Sequence, residues 1–93
     1  NFKPEVWDKH KLDLMVKVSL EKYTQFKSYR QLLLATKDKK LVEANGKDVV
    51  WGIGMYANDK HILDESKWKG QNLLGEALMK VRQTLRLRTD VDF

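Results

Sequence analysis

Aromatic and glycine residues are concentrated in two short stretches of this chain, WGIG and WKGQNLLG. The indoles of Trp51 and Trp68 can stack on a nucleobase, or they can anchor the segment in the core. Gly52 and Gly54 allow a positive φ or a close approach of the backbone, to a neighbouring helix or to a flat ligand. Their spacing does not fit a dinucleotide-binding or P-loop fingerprint. The residue types are therefore compatible with a planar ligand without requiring one.

Polar residues that can act on such a ligand lie nearby. Asn72, close to Gly70 at a predicted helix start, can cap the helix or hydrogen-bond a ribose hydroxyl. Asp59 and Asp64 lie in the preceding loop. When a glycosidic bond is cleaved, a carboxylate stabilises the developing cation or activates water. A single loop carboxylate is more often simply solvated, and both interpretations stay open.

Composition excludes several classes of protein. The 93 residues include no cysteine, which rules out disulfides, thiolate zinc sites and a cysteine nucleophile. The two histidines are isolated, so no metal site is predicted. No apolar run is long enough to span a membrane, and a cytoplasmic location is expected. The net charge of +5 favours anionic partners, but the lysines are dispersed, which argues against general nucleic-acid binding.

Three helices are predicted. The first starts after Pro4, runs over about 5–25, and carries apolar residues on more than one side, which predicts burial on more than one side. Ser28 is expected to cap a second helix, YRQLLLATK. The last helix starts at Gly70 or Asn72, and its apolar positions form one face through Leu74, Ala77, Leu78, Val81 and Leu85.

Between the second and last helices, the sequence predicts a small hairpin and a long loop. The pair Asn45-Gly46 is a strong turn signal, and DVVWGIG is expected to pair back across it as a short strand. The polar segment from Met55 to Lys69 shows no period, and long loops of this kind are more often functional than idle. The expected fold is mostly α with a small β hairpin.

The combination of WGIG with WKGQNLLGEALMKVRQTL resembles the C-terminal signature of the NADAR (YbiA-like) family. The upstream segments VWDKHKLDLMVKVSLEKYTQF and RQLLLATKDKKLVEAN are similar to the family in the same order, so the resemblance covers nearly the whole chain, residues 1–93, as the C-terminal portion of one multihelical domain. It implies action on N-glycosidic bonds without a cofactor. The substrates implied are ribosylamine intermediates of riboflavin synthesis or ADP-ribosylated bases.

The resemblance also implies roles for the residues already described. A ribose-linked ring would lie against Trp51, with Gly52 and Gly54 letting the backbone come close. Gly70 and Asn72 would place the start of the last helix at the polar end of the pocket. Trp68 belongs to the same signature, and the carboxylate would be Asp59 or Asp64.

Two departures from the family pattern qualify this expectation. Many members carry an aspartate between the paired glycines, where this chain has Ile53. The N-terminal part of the family domain, with its proposed catalytic glutamate and lysine, has no counterpart in this sequence. The chain is therefore expected to work with a partner chain that supplies the missing part, to form a homo-oligomer, or to be a non-catalytic remnant that binds ADP-ribose-like ligands. Nucleic acid is expected only as an ADP-ribosylated substrate.

Overall fold

A computed structural model describes residues 3–88 of the chain and contains three α-helices. Helix α1 spans Pro4–Gln25, α2 spans Lys27–Ala35 and α3 spans Leu73–Leu87, with a single 3₁₀ turn at Glu65–Lys67. Within residues 3–88 there is no β-strand and no helix long and apolar enough to cross a membrane. The prediction of a mostly helical fold is confirmed, and the prediction of a small hairpin is wrong.

The boundary between α1 and α2 differs from the sequence-based expectation. Phe26 adopts an extended backbone conformation (φ −108°, ψ 99°), which ends α1 and begins α2. The backbone carbonyl of Phe26 accepts the N–H of Arg30 at 3.0 Å, and no side chain caps the helix. Ser28 lies inside α2, so its predicted role as the N-cap is wrong. The extended residue itself breaks the helix here.

The described residues divide into two compact units, one formed by residues 3–40 and 77–88 and the other by residues 41–76. The first unit holds α1, α2 and most of α3. Its buried apolar side chains are Leu33 of α2 and three α3 residues with the predicted helical spacing, Ala77, Val81 and Leu85. The expected apolar face of the last helix is therefore confirmed at these three positions, while Leu74 and Leu78 are half-buried.

Two arginines of α3 bind the turn that follows α2. The guanidinium of Arg82 is buried and donates to the hydroxyl of Thr36 at 2.8 Å and to the carbonyl of Lys39 at 2.9 Å. Arg86 pairs with the carboxylate of Asp38 at 2.8 Å. Cationic side chains commonly satisfy the free carbonyls near a helix end in this way. The lysine-rich segment 37–40 is thus a fixed turn.

Helix α1 is covered on one side only. Trp7, Leu14 and Val18 are 48%, 54% and 55% exposed, whereas Ser19 on the other side of the helix is buried. The prediction that α1 is buried on more than one side is therefore wrong for the described residues. The sequence pattern itself is correct, because Trp7, Leu14 and Val18 form a stripe that adjoins the half-buried apolar face of α1.

The second unit contains little regular structure and is organised by aspartate and asparagine side chains. Each of four such residues accepts a hydrogen bond from the backbone N–H two positions ahead, namely Asn45, Asp48, Asp59 and Asp64. Short polar side chains stabilise turns by this local bond and thereby compete with strand pairing. The long loop is consequently a series of defined turns.

The predicted hairpin fails for a specific reason. A two-residue type I′ turn needs positive φ at both central residues, and neither Asn45 nor Gly46 has one. In the predicted return strand DVVWGIG, only Ile53 donates its backbone N–H to the residues before the turn, namely to the carbonyl of Glu43 at 3.0 Å. The carbonyls of the WGIG region are bonded elsewhere, to the residues around the start of α3.

Candidate functional site

A run of backbone hydrogen bonds joins the two signature stretches. The carbonyls of five consecutive residues, 49–53, accept N–H groups from residues 69–74 at 2.8–3.1 Å. The carbonyl of Ile53 accepts two of them, from Lys69 and Gly70. We call these two segments, 49–53 and 69–74, the backbone clasp. The clasp fixes the main chain on both sides of the predicted ligand-binding residues.

Glycines within the clasp and directly beside it permit this approach of one segment to the other. A Cβ atom on Gly70 would overlap the carbonyl oxygen of Gly52, and one on Gly75 would overlap that of Leu41. Gly54 has φ +71°, a conformation that side chains disfavour. The space beside these α-carbons is therefore occupied by the protein's own atoms, which are backbone oxygens at Gly70 and Gly75 and the side chain of Lys69 at Gly54. Contact of Gly52, Gly54 or Gly70 with a ligand stays a prediction.

The side chain of Asn72 connects the clasp to the start of the second unit. It is only 2% exposed and has φ +55°. Its amide oxygen accepts the N–H of Glu43 and its amide nitrogen donates to the carbonyl of Leu41, both at 2.9 Å. These two bonds hold the segment before the WGIG stretch in place. Contact of Asn72 with a ribose stays a prediction, and its structural role is visible.

The N-terminus of α3 is already hydrogen-bonded within the protein. The N–H groups of Asn72, Leu73 and Leu74 donate to clasp carbonyls at 3.0–3.1 Å. Exposed N–H groups at a helix start commonly bind anions. Because these three donors are occupied, the start of α3 contributes an ordered scaffold here instead of three free donors.

The two tryptophans of the signature differ in how they are held. Both are partly exposed, so neither indole is sealed in the interior. The indole N–H of Trp68 donates to the carbonyl of Ile62 at 2.8 Å, which fixes the long loop. The indole N–H of Trp51 makes no hydrogen bond to any residue within 3–88. Trp51 is therefore partly accessible, and within residues 3–88 its indole N–H is not used as a donor.

A carboxylate that the sequence did not single out lies directly before Trp51. Asp48 accepts the N–H groups of Trp51 at 2.8 Å and Val50 at 3.0 Å through one oxygen. Hydrogen bonds from the backbone N–H of Trp51, then Val50, and a weaker one from Gly52, hold the pKa of the Asp48 carboxyl below its ordinary value. The carboxylate is thus ionised and fixed. An Asp three residues before Trp is the sequence signal that could have identified it.

The predicted catalytic carboxylates occupy other turns of the loop. Asp59 is partly exposed and accepts the N–H of His61 at 2.8 Å. Asp64 is exposed, and one of its oxygens accepts both the N–H and the hydroxyl of Ser66. Each keeps an oxygen that these turns do not use, and a catalytic role for either stays a prediction. No group of three potential metal ligands occurs in the described part of the chain.

Comparison with known proteins bears on what this region does. An N-glycosidase of Acanthamoeba polyphaga mimivirus is 43% identical over 83 residues, which cover 89% of this chain and 49% of that protein. The protein irg-1 of Caenorhabditis elegans is 40% identical over 86 residues, covering 92% of this chain and 41% of that protein. N-glycosidase YbiA of Escherichia coli is 36% identical over 81 residues, which cover 87% of this chain and 44% of that protein.

The chain therefore spans about half the length of the curated relatives it matches. No solved structure matches it significantly. The family model described as the NADAR domain matches residues 1–86, which include the clasp, both signature tryptophans and all three helices up to the last turn of α3. This chain belongs to the NADAR domain family.

Proposed function

We propose that this chain forms part of an N-glycosidase that hydrolyses the bond between a ribose and a nitrogen base. The substrate class is a ribosylated or ADP-ribosylated base, or a ribosylamine intermediate of riboflavin synthesis. The observation that carries the proposal is the partly exposed indole of Trp51, with its N–H unused, on a backbone fixed by the clasp. Relatives named N-glycosidase support the reaction class.

The reaction breaks the C1′–N bond and gives an oxocarbenium-like ribose, which water attacks while the leaving nitrogen takes a proton. An aromatic ring stacked on the base holds it in position, and a nearby carboxylate stabilises the cation or activates the water. Trp51 would supply the ring. Asp48 would supply a charge that its backbone donors keep ionised, and Asp59 and Asp64 remain candidates for the second carboxylate role.

Catalysis also requires a proton donor to the leaving base, and we propose that polypeptide outside this chain contributes it. The support is that the relatives named N-glycosidase have about twice the matched length. A homo-oligomer or a separate partner chain would serve the same purpose. The remaining residues of the signature, Trp68, Gly52, Gly54, Gly70 and Asn72, would shape the pocket from the clasp side.

The test is product release. The chain is incubated with an ADP-ribosylated oligonucleotide or a ribosylamine, and free ADP-ribose or ribose phosphate is quantified by mass spectrometry, with and without an N-terminally extended chain. Asp48→Asn is expected to reduce the rate about 100-fold or more, since carboxylate catalysis contributes at least that much. Asp59→Asn and Asp64→Asn are measured in parallel, and Leu63→Ala, at an exposed loop position, is the control. No release from either chain would refute the proposal.

A second candidate is a non-catalytic binder of ADP-ribose-like ligands, which requires the partly exposed indole of Trp51 but no catalytic carboxylate. Calorimetry distinguishes the two. Binding of ADP-ribose that depends on Trp51, without release of product from any substrate in the presence of the extended chain, would establish the binder and exclude the enzyme.

A further inference from the structure

Asparagine side chains can react with the backbone nitrogen of the next residue, so the hydrogen bonding of that nitrogen bears on which asparagines are reactive. Residues 3–88 contain three asparagines, Asn45, Asn58 and Asn72. The backbone N–H groups that follow Asn58 and Asn72 donate to carbonyls at 3.0 and 3.1 Å. The N–H of Gly46, which follows Asn45, donates to no acceptor among the described residues. In this part of the chain, only Asn45 therefore precedes an unbonded backbone nitrogen.

Asn45 begins the turn that contains this free N–H. The backbone carbonyl of Asn45 accepts the N–H of Asp48 at 3.3 Å, which places Gly46 and Lys47 at the centre of the turn. The side-chain oxygen of Asn45 accepts the N–H of Lys47 at 2.9 Å. A bond of this kind folds the side chain back over the peptide bond that follows it. It therefore holds the amide carbon of Asn45 near the backbone nitrogen of Gly46.

The same hydrogen bond activates the side-chain amide toward attack. When a nitrogen adds to a carbonyl carbon, negative charge develops on the oxygen, and an N–H already directed at that oxygen stabilises the charge. The backbone N–H of Lys47 has this position at the side-chain oxygen of Asn45. Gly46 has no Cβ that would hinder its nitrogen. Asn45 and Gly46 are also partly exposed, so water has access to the reacting groups.

We propose that Asn45 is a site of deamidation through a cyclic imide formed with Gly46. The backbone nitrogen of Gly46 loses its proton to water or hydroxide and attacks the side-chain carbonyl carbon of Asn45. A new C–N bond closes the imide, and the side-chain nitrogen takes up a proton and leaves as ammonia. Water then opens either of the two imide carbonyls and gives aspartate or isoaspartate. The net reaction consumes one water and releases one ammonia.

The two products change the turn differently. Aspartate keeps a side-chain oxygen that can accept the N–H of Lys47, so the turn is preserved. Isoaspartate inserts a methylene group into the main chain before Gly46 and therefore displaces the turn. Both products add a negative charge to a turn that already contains Asp48, three residues before Trp51. The inference is independent of the proposed N-glycosidase activity.

The test incubates the full 93-residue chain in neutral and mildly alkaline buffer and follows each asparagine by mass spectrometry of proteolytic peptides. A synthetic peptide of residues 41–50 is the unfolded reference. We expect Asn45 in the folded chain to react at no less than about one tenth of its rate in the peptide, and at least about tenfold faster than Asn58 or Asn72. Isoaspartate should accumulate together with aspartate, because opening of the imide yields both.

Two variants of the turn identify the attacking atom. Gly46→Ala keeps the nitrogen but adds a methyl group that hinders its approach, so the rate at Asn45 should fall at least about tenfold. The added Cβ also meets the exposed ring of Tyr56, and circular dichroism is used to confirm that the variant folds. Lys47→Ala, at an exposed position, keeps the backbone N–H that bonds to Asn45 and should leave the rate unchanged.

Three results would overturn the proposal. One is a rate at Asn45 that is more than about tenfold lower in the folded chain than in the peptide, which would show that the fold protects this turn. A second is conversion of Asn58 or Asn72 as fast as that of Asn45. The third is formation of aspartate alone, at the same rate in Gly46→Ala, which would assign the change to direct hydrolysis of the amide.

Discussion

Removal of the Asn72 amide is expected to destabilise the protein severely, because this one side chain satisfies two backbone groups. The N–H of Glu43 and the carbonyl of Leu41 both bond to it at 2.9 Å, and the side chain is only 2% exposed. Asn72→Ala leaves each backbone group without its partner. It also places alanine at φ +55°, which asparagine tolerates better.

The magnitude follows from these three terms. Each backbone group left without a partner costs about 1–3 kcal/mol, and the left-handed conformation adds about 1 kcal/mol for alanine. The expected loss is therefore about 3–7 kcal/mol, a large part of the roughly 5–15 kcal/mol typical of a small domain. Asn72→Gly loses the same two bonds but adopts positive φ freely, so it should be about 1 kcal/mol more stable than Asn72→Ala.

Urea denaturation followed by circular dichroism measures these differences, with Asn58→Ala as the matched control. Asn58 is exposed, and its removal should change the free energy of unfolding by less than about 0.5 kcal/mol. A loss for Asn72→Ala of under about 1 kcal/mol would refute the structural role of the amide. So would a glycine variant less stable than the alanine variant.

Three further predictions concern the residues around this scaffold. Gly70→Ala should destabilise the protein by about 1–3 kcal/mol, because the added Cβ overlaps the backbone of Gly52. Gly46→Ala should cost less, because its Cβ meets only the exposed ring of Tyr56, which can rotate away. Equal losses of stability in thermal denaturation would contradict this prediction. Arg82→Ala should cost about 2–3 kcal/mol in urea, through two lost hydrogen bonds of a buried charged group, and an unchanged midpoint would contradict it. Folding lowers the pKa of Asp48, so the stability that its carboxylate contributes is complete above the unfolded pKa of about 3.9 and is lost as the pH falls toward the folded pKa. Asp48→Asn keeps the acceptor oxygen but does not titrate, so the free energy of unfolding should depend less on pH in this range. An acid unfolding profile identical to that of the wild type would refute this prediction.

The helices were predictable because their signals are local. Ala77, Val81 and Leu85 repeat at the helical period, and all three are buried where that period places them. Pro4 begins α1 as expected for a residue without an N–H at the first helical position. Neither inference required knowledge of a distant partner.

The clasp was not predictable from local signals. The sequence Asn45-Gly46 is typical of a hairpin turn, but the carbonyls that follow bond to residues about twenty positions later. The sequence around Asn72 predicts a cap or a ribose ligand, since no local pattern indicates that its partners lie at Leu41 and Glu43. The sequence does not single out Asp48 for a related reason, because an aspartate in a turn acquires significance only through the backbone donors around it.

The apolar faces of α1 show a different limit. The sequence correctly indicated apolar residues on two sides of the helix, and burial on both sides was inferred from them. Within residues 3–88, only one side is covered. A hydrophobic pattern specifies that a surface will be buried but does not identify the polypeptide that buries it.

The proposed function depends on stacking of the Trp51 indole against an aromatic ring of a ribose-linked ligand, and calorimetric titration with ADP-ribose, whose adenine is such a ring, measures that stacking. The wild-type chain is compared with Trp51→Phe and with Trp7→Phe, each measured alone and together with the N-terminally extended chain. Trp7 lies on α1, far from Trp51 in the sequence. We expect Trp51→Phe to weaken ADP-ribose binding about tenfold, because indole stacking and its hydrogen bond are lost, and Trp7→Phe to bind like the wild type. Equal affinities of the wild type and Trp51→Phe, or no binding by any of them, would contradict it.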